Sequence, residues 1–185
     1  MSQVPNRLLH VRALGRSGDV EALIAELSNP LEHEKLVIRA VAASELSRLR
    51  ARQAVAPLIE MLESDPNEYA RVFAARALGE IGPLDKVAGP LRDALRDPSP
   101  NVRTSVAVSL GELGDEGAIE ALIDRVQDDE WPVRRAAAEA LVRIGDPRAA
   151  EPLRVASSRE RSFYRRGHLR RASRRLRHNS RRPRA

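Results

Sequence analysis

Apolar residues recur every three or four positions through most of the chain, as in Val102, Val106, Leu110 and Leu113, which is the spacing of one face of an α-helix. Four such stretches align with one another: Ile38–Leu46, Ala70–Leu78, Val102–Leu110 and Val133–Leu141. Arg stands second in each (39, 71, 103, 134) and Leu closes each (46, 78, 110, 141), so both recur in steps of 32, 32 and 31 residues. One further step back reaches Arg7 and Leu14, a degenerate first copy. A second helical stretch follows each copy: Val20–Leu27, Ala54–Leu62, Val87–Leu95, Ala118–Val126 and Ala149–Ala156. Pro57, Pro90 and Pro152 are expected early in three of them, where a missing N–H costs least. Gly82, Gly114 and Gly145 are expected to end Arg-bearing helices in left-handed caps. Asn29-Pro30, Asp65-Pro66 and Asp97-Pro98-Ser99-Pro100 read as breaks between helices.

The pattern predicts an all-α fold. One helix pair cannot bury its own apolar stripe, so successive pairs stack and share a continuous core. Composition sharpens this. Aromatic residues are 3% of the chain, so the core must come from Leu, Ile, Val and above all Ala, whose small side chains pack only where backbones approach closely. The segments Asp97-Pro98-Ser99-Pro100-Asn101-Val102-Arg103 and Ala138-Glu139-Ala140-Leu141-Val142-Arg143-Ile144-Gly145-Asp146-Pro147 resemble short HEAT repeats of the phycobilisome-lyase type. The resemblance spans roughly residues 5 to 157 and implies an α-solenoid of about five helix pairs with the Arg-bearing helices on its concave face. It also implies a scaffold, because such repeats serve many unrelated functions. Lyases of this type attach or remove bilin chromophores, usually as a pair of subunits. A lyase-like subunit is therefore an alternative, although no residue here marks a bilin pocket.

The chain has no Cys, which excludes disulfides and thiolate chemistry and fits a reducing compartment. The start of the chain lacks a secretory signal pattern, and no apolar run reaches the roughly 18 residues of a membrane span. A cytoplasmic protein without a membrane partner is the expectation. Asp65, Asp97 and Asp129 precede Arg71, Arg103 and Arg134 by six, six and five residues, and repeated in every layer they read as a structural ladder. Deoxyhypusine hydroxylases, which this fold resembles, bind two irons through His-Glu pairs directly after the repeated Arg. Here those positions hold Ala40, Val72, Thr104 and Arg135, and His33-Glu34 lies before its helix, as in a surface turn. No nucleophile–base pair or phosphate-cradling loop appears, so the reading is non-enzymatic, without metal or cofactor. Trp131 is expected to pack between layers or to staple the start of its helix.

Charge is unevenly placed. The chain carries 32 Lys and Arg against 26 Asp and Glu, a net +6. Residues 159–185 hold 12 Arg and one acid, so they carry +11 and leave −5 on residues 1–158. The division expected is a repeat solenoid over 1–158, then an Arg-rich helix to about residue 178 and a disordered basic tail. Counting 31 from Arg134 makes Arg165 the sixth repeated Arg, with Tyr164, His168, Ala172 and Leu176 as the apolar stripe. Arg165, Arg166, Arg170, Arg171, Arg174, Arg175 and Arg177 are then a polyanion-binding set for nucleic acid, a nucleoprotein assembly or an acidic protein surface. Arg76, Glu80, Glu112, Arg135, Glu139 and Arg143 fall on the face turned from the core and are the expected protein-binding face. The functional expectation is a non-enzymatic adaptor, with a pure protein–protein scaffold as the alternative.

Overall fold

The computed structural model describes residues 4–28 and 36–179; His33-Glu34, Arg181, Arg182 and Arg184 lie outside them. The described residues form eleven α-helices and no strand. They divide into two compact units, residues 1–94 and 95–185. In the first unit the Arg-bearing helices α1 (Val4–Ser17), α3 (Leu36–Arg48) and α5 (Glu68–Ile81) pack side by side. The helices between them, α2 (Val20–Leu27), α4 (Val55–Ser64) and α6 (Leu84–Ala94), make a second layer. The second unit repeats the plan. Helices α7 (Pro100–Leu113), α9 (Trp131–Ile144) and α11 (Phe163–Asn179) form one layer, backed by α8 (Ile119–Arg125) and α10 (Ala150–Arg159).

The core is aliphatic, as the composition requires. Leu46 and Leu78 in the first unit, and Leu110 and Leu141 in the second, are fully buried, and each such side chain contributes about 1.5–3 kcal/mol. Counted from the repeated Arg, these Leu stand at +7. The residues at +4 are Ala43, Ala75, Ala107 and Ala138, all fully buried. The +8 residue faces the next Arg-bearing helix. A side chain on Gly111 would come within 2.7 Å of the Ala140 Cα. One on Gly15 would run into Glu45. Small residues at these two positions let adjacent helices close up.

The helix ends follow the chemistry of the turns, with two corrections. Gly114 (φ 66°) and Gly145 (φ 83°) are left-handed caps as expected, and so are Gly18 (φ 76°) and Arg50 (φ 54°) at equivalent positions. Gly82 is not: its backbone is extended, at φ −76° and ψ 138°. Its successor Pro83 disfavours helical backbone in the residue before it. The Pro83 carbonyl accepts from the N–H groups of Lys86 and Val87, so α6 starts three residues ahead of the predicted Val87. Pro90 consequently lies inside the helix rather than near its start. Ala54, Ala118 and Ala149 each close a 3-10 turn that runs into α4, α8 and α10 one residue later.

Candidate functional site

The turns that enter the Arg-bearing helices share one construction. An acid accepts the backbone N–H two residues on: Asn67 to Asp65 (2.9 Å), Ser99 to Asp97 (2.8 Å), Glu130 to Asp128 (3.0 Å) and Ser162 to Glu160 (3.3 Å). The carbonyl of the same acid accepts from an Arg six residues on, in Arg71, Arg103, Arg134 and Arg166. Its carboxylate accepts from the Arg of the preceding copy. Arg39 reaches Asp65 at 3.0 Å, Arg103 reaches Asp128 at 2.9 Å and Arg134 reaches Glu160 at 2.9 Å. Burial works against the charge on Asp128 and Glu160. It is outweighed by the backbone N–H groups and by Arg103, Arg125 and Arg134, so both carboxyls titrate below their usual range.

This geometry corrects the register at two points. The ladder acid before α9 is Asp128, whereas Asp129 is exposed. The last ladder Arg is Arg166, whose guanidinium donates to the carbonyls of Glu160 (3.1 Å) and Arg161 (3.3 Å). Arg165 instead lies over the Trp131 ring at 5.4 Å, with Arg134 at 5.5 Å. The buried face of α11 is Leu169, Ala172, Ser173 and Leu176, and the Ser173 hydroxyl donates to the Ala150 carbonyl. Tyr164, expected on that face, is 70% exposed, and its neighbour Phe163 is 89% exposed. Ala40, which follows the repeated Arg39, is buried.

With Arg166 as zero, α11 breaks one rule of the other copies. Positions +4 and +8 hold Arg170 and Arg174, both exposed, where the four preceding copies hold buried Ala at +4 and Ser47, Gly79, Gly111 or Val142 at +8. Positions +5 and +9 hold Arg171 and Arg175. These two line a hollow of about 390 Å³ with Glu139, Val142, Arg143, His168 and Ala172. A hollow of about 340 Å³ between α3 and α5 is lined by Ser44, Ser47, Arg48, Phe73, Arg76, Ala77 and Glu80. The two sets are register equivalents: +5, +8 and +9 of one helix, and +2, +5, +6 and +9 of the next. By helical geometry these positions lie opposite +3, +7 and +10, which face the backing layer.

The residues expected on the protein-binding face are largely paired among themselves. Arg143 meets Glu112 at 3.3 Å, Arg135 meets Glu139 at 3.9 Å, and Glu139 meets His168 at 3.5 Å. Arg76 lies over Phe73 at 5.9 Å, and Glu80 accepts the Ser47 hydroxyl. Of the polyanion set, Arg165 and Arg166 are engaged as described, and Arg177 sits in the last turn of α11 near Glu151. Arg170, Arg171, Arg174 and Arg175 form no ion pair among the described residues. His168 was missed as part of the face. Burial and the nearby Arg171 and Arg135 hold its imidazole below its ordinary pKa, against the pull of Glu139. A step of 32 from Arg134 would have put His168, Arg171 and Arg175 on this face. A cleft of about 660 Å³ between the turns at 126–129 and 159–162 sets Arg134, Arg159, Arg161 and Arg165 against Asp128, Asp129 and Glu160.

Among the described residues, no helix is long and apolar enough to cross a membrane, and no group of three or more His, Asp or Glu could hold a metal ion. The family model of HEAT repeats matches residues 55–134 and 89–174, more than half of the chain. The chain belongs to the HEAT-repeat family. Phycocyanin operon protein Z of Pseudanabaena tenuis, itself uncharacterized, is 29% identical over 159 residues, 79% of this chain and 77% of that protein. Human deoxyhypusine hydroxylase is 36% identical over 92 residues, which span 49% of this chain but only 29% of the enzyme. Among solved structures, the complex of CpcE and CpcF of phycocyanin lyase from Nostoc matches at a TM-score of 0.69 and 28% identity, over 85% of this chain and 64% of that one. A designed armadillo repeat protein in complex with the peptide (KR)4 matches at a TM-score of 0.65 and 16% identity, a likeness of fold alone.

Proposed function

We propose that this chain is a non-catalytic HEAT-repeat scaffold that holds an acidic protein partner on its Arg-bearing helices. One observation carries the reading: α11 holds seven Arg and no acid, and four of these Arg form no ion pair among the described residues. Like charges one turn apart on a helix repel, so this helix gains from an anionic partner. A protein suits the face better than nucleic acid does. Glu112 and Glu139 stand among its arginines, which suits a partner whose acids are spaced to meet single arginines better than an unbroken run of phosphates. Arg134 and Arg165 both lie against the Trp131 ring and His168 meets it in a T-shaped contact, so the ring is already engaged within the protein. The test is fluorescence anisotropy of the full chain with labelled polyglutamate, RNA and duplex DNA of matched charge over a range of salt. Tighter binding of polyglutamate is expected. Tighter binding of nucleic acid, with log K falling against log salt at a slope near about −5 for six phosphates, would replace the acidic protein with nucleic acid.

The likeness to phycocyanin operon protein Z and to the CpcE–CpcF complex supports a second reading, one subunit of a paired, lyase-like assembly. Recovery of a second HEAT-like chain together with bilin absorbance would favour it. The partial likeness to deoxyhypusine hydroxylase supports no metal role in either reading. The residues after the ladder Arg are Ala40, Val72, Thr104, Arg135 and Gly167, not His-Glu pairs.

A further inference from the structure

We infer that the hollow between α9 and α11 is a carboxylate-binding subsite, which takes an Asp or Glu side chain from an extended segment of the partner; this rests on the reading of the chain as a scaffold for an acidic protein. Three guanidinium groups line it, Arg143 from α9 and Arg171 and Arg175 from α11. Arg171 and Arg175 are one helical turn apart and form no ion pair among the described residues. Arg143 holds Glu112 only at 3.3 Å with both side chains half exposed, a tie that water and salt weaken and that an incoming carboxylate can exchange. Glu139 is the one acid in the lining. It is drawn to Arg135 and His168 and does not pair with Arg171 or Arg175.

The rest of the wall is suited to a side chain with an aliphatic stem. Ala172 is buried and Val142 half-buried, so an entering carboxylate gives up part of its water and meets the arginines in a lower dielectric. Guanidinium forks match the two oxygens of a carboxylate, which makes arginines better readers of this group than a diffuse positive field would be.

The molecule contains its own control. The α3–α5 hollow has the same register and similar volume, with Arg48 and Arg76 at the positions of Arg143 and Arg171. Where α11 has Arg175, α5 has Glu80, which accepts the Ser47 hydroxyl. That hollow supplies a carboxylate of its own. With Glu139 in place of Ser44 as well, the lining shifts from two arginines and one acid to three arginines and one acid.

The test titrates the full chain against a labelled peptide of about eight residues alternating Glu and Ala, with a labelled RNA of equal charge in parallel. Arg175→Glu copies the residue that α5 already carries at this register position, and thermal melting checks that the variant folds. Arg174→Glu makes the same charge change one residue away, outside the hollow. Arg175→Glu is expected to weaken peptide binding tenfold or more (on the order of a lost close charge pair), and Arg174→Glu by less than about threefold. Equal losses in the two variants would overturn the subsite and leave the scaffold reading standing. Failure of the wild-type chain to bind the peptide at all would overturn both. RNA binding that is tighter and equally sensitive to Arg175→Glu would overturn the carboxylate as ligand.

Discussion

The α3–α5 and α9–α11 hollows are the same object built twice with different contents. Buried positions at the two helix pairs stay apolar: +3 is Ala42, Ala74, Ala137 or Leu169, and +6 of the second helix is Ala77 or Ala172. Exposed positions change freely. Phe73 becomes His168, Ser44 becomes Glu139 and Glu80 becomes Arg175, so two cations against one anion become three against one. Packing between layers constrains a repeat on its buried faces only, and the remaining face can be rewritten copy by copy without disturbing the stack. Chemistry in this molecule belongs to single copies, whereas stability belongs to the array.

The comparison can be broken most forcefully at a rung of the ladder. Asp128 is almost fully buried and holds Arg103 at 2.9 Å and Arg125 at 3.2 Å. Asp128→Ala strands those charges and should cost about 3–5 kcal/mol in urea unfolding, whereas Asp129→Ala should stay within about 0.5 kcal/mol. The reverse order would return the register to Asp129. Acid narrows the gap. Asp128 titrates below its usual range in the fold, so the unfolded chain takes up the proton first as pH falls. Its contribution is present above about pH 4 and is lost as pH falls through the folded value.

Next in size is the close approach of α7 and α9. Gly111→Val puts methyl groups against the Ala140 backbone and should destabilise by about 1–3 kcal/mol in the same assay. Ser47, which stands at the equivalent position in α3, should accept Ala with little change beyond its hydrogen bond to Glu80, about 1 kcal/mol.

A smaller effect tests the difference between His168 and Phe73. The imidazole of His168 titrates below its ordinary value, because burial and the charges of Arg171 and Arg135 outweigh Glu139. As pH falls through about 6.5 the unfolded chain protonates first, and the wild-type fold loses stability. His168→Phe carries the α5 residue into α11 and should flatten that slope. Melting temperatures at pH 7.5 and 5.5 measure it, and a wild type that melts higher at pH 5.5 would reverse the sign. Smallest of all is the stability change in Arg175→Glu, within about 0.5 kcal/mol, because that position is exposed in both units.

The helices were legible in the sequence because a period of 32 leaves one Arg and one Leu per copy as fixed marks. What failed was the count across two of the places where the mark is doubled. Asp128-Asp129 and Arg165-Arg166 are pairs of identical residues, and identity cannot say which member a repeat uses. Only the hydrogen bonds decide, through the Glu130 N–H on Asp128 and the Glu160 carbonyl under Arg166. That slip of one residue swung the expected stripe of α11 by about 100°, which is why Tyr164 was assigned to the core and Arg171 and Arg175 were not assigned to the hollow. Gly82 misled differently: the glycine was read, but the proline after it was not.

Arg170 and Arg174 have a consequence at a larger scale. Their counterparts on α9 are Ala138 and Val142, uncharged and compact, so a further helix cannot settle on α11 in the manner in which α11 settles on α9. Exchange of both for Ala and Gly would uncover a sticky face able to accept a helix from another molecule. Contacts of that head-to-tail kind build rings where the rotation between copies closes and filaments where it does not. Two guanidinium groups thus oppose growth of the stack beyond α11.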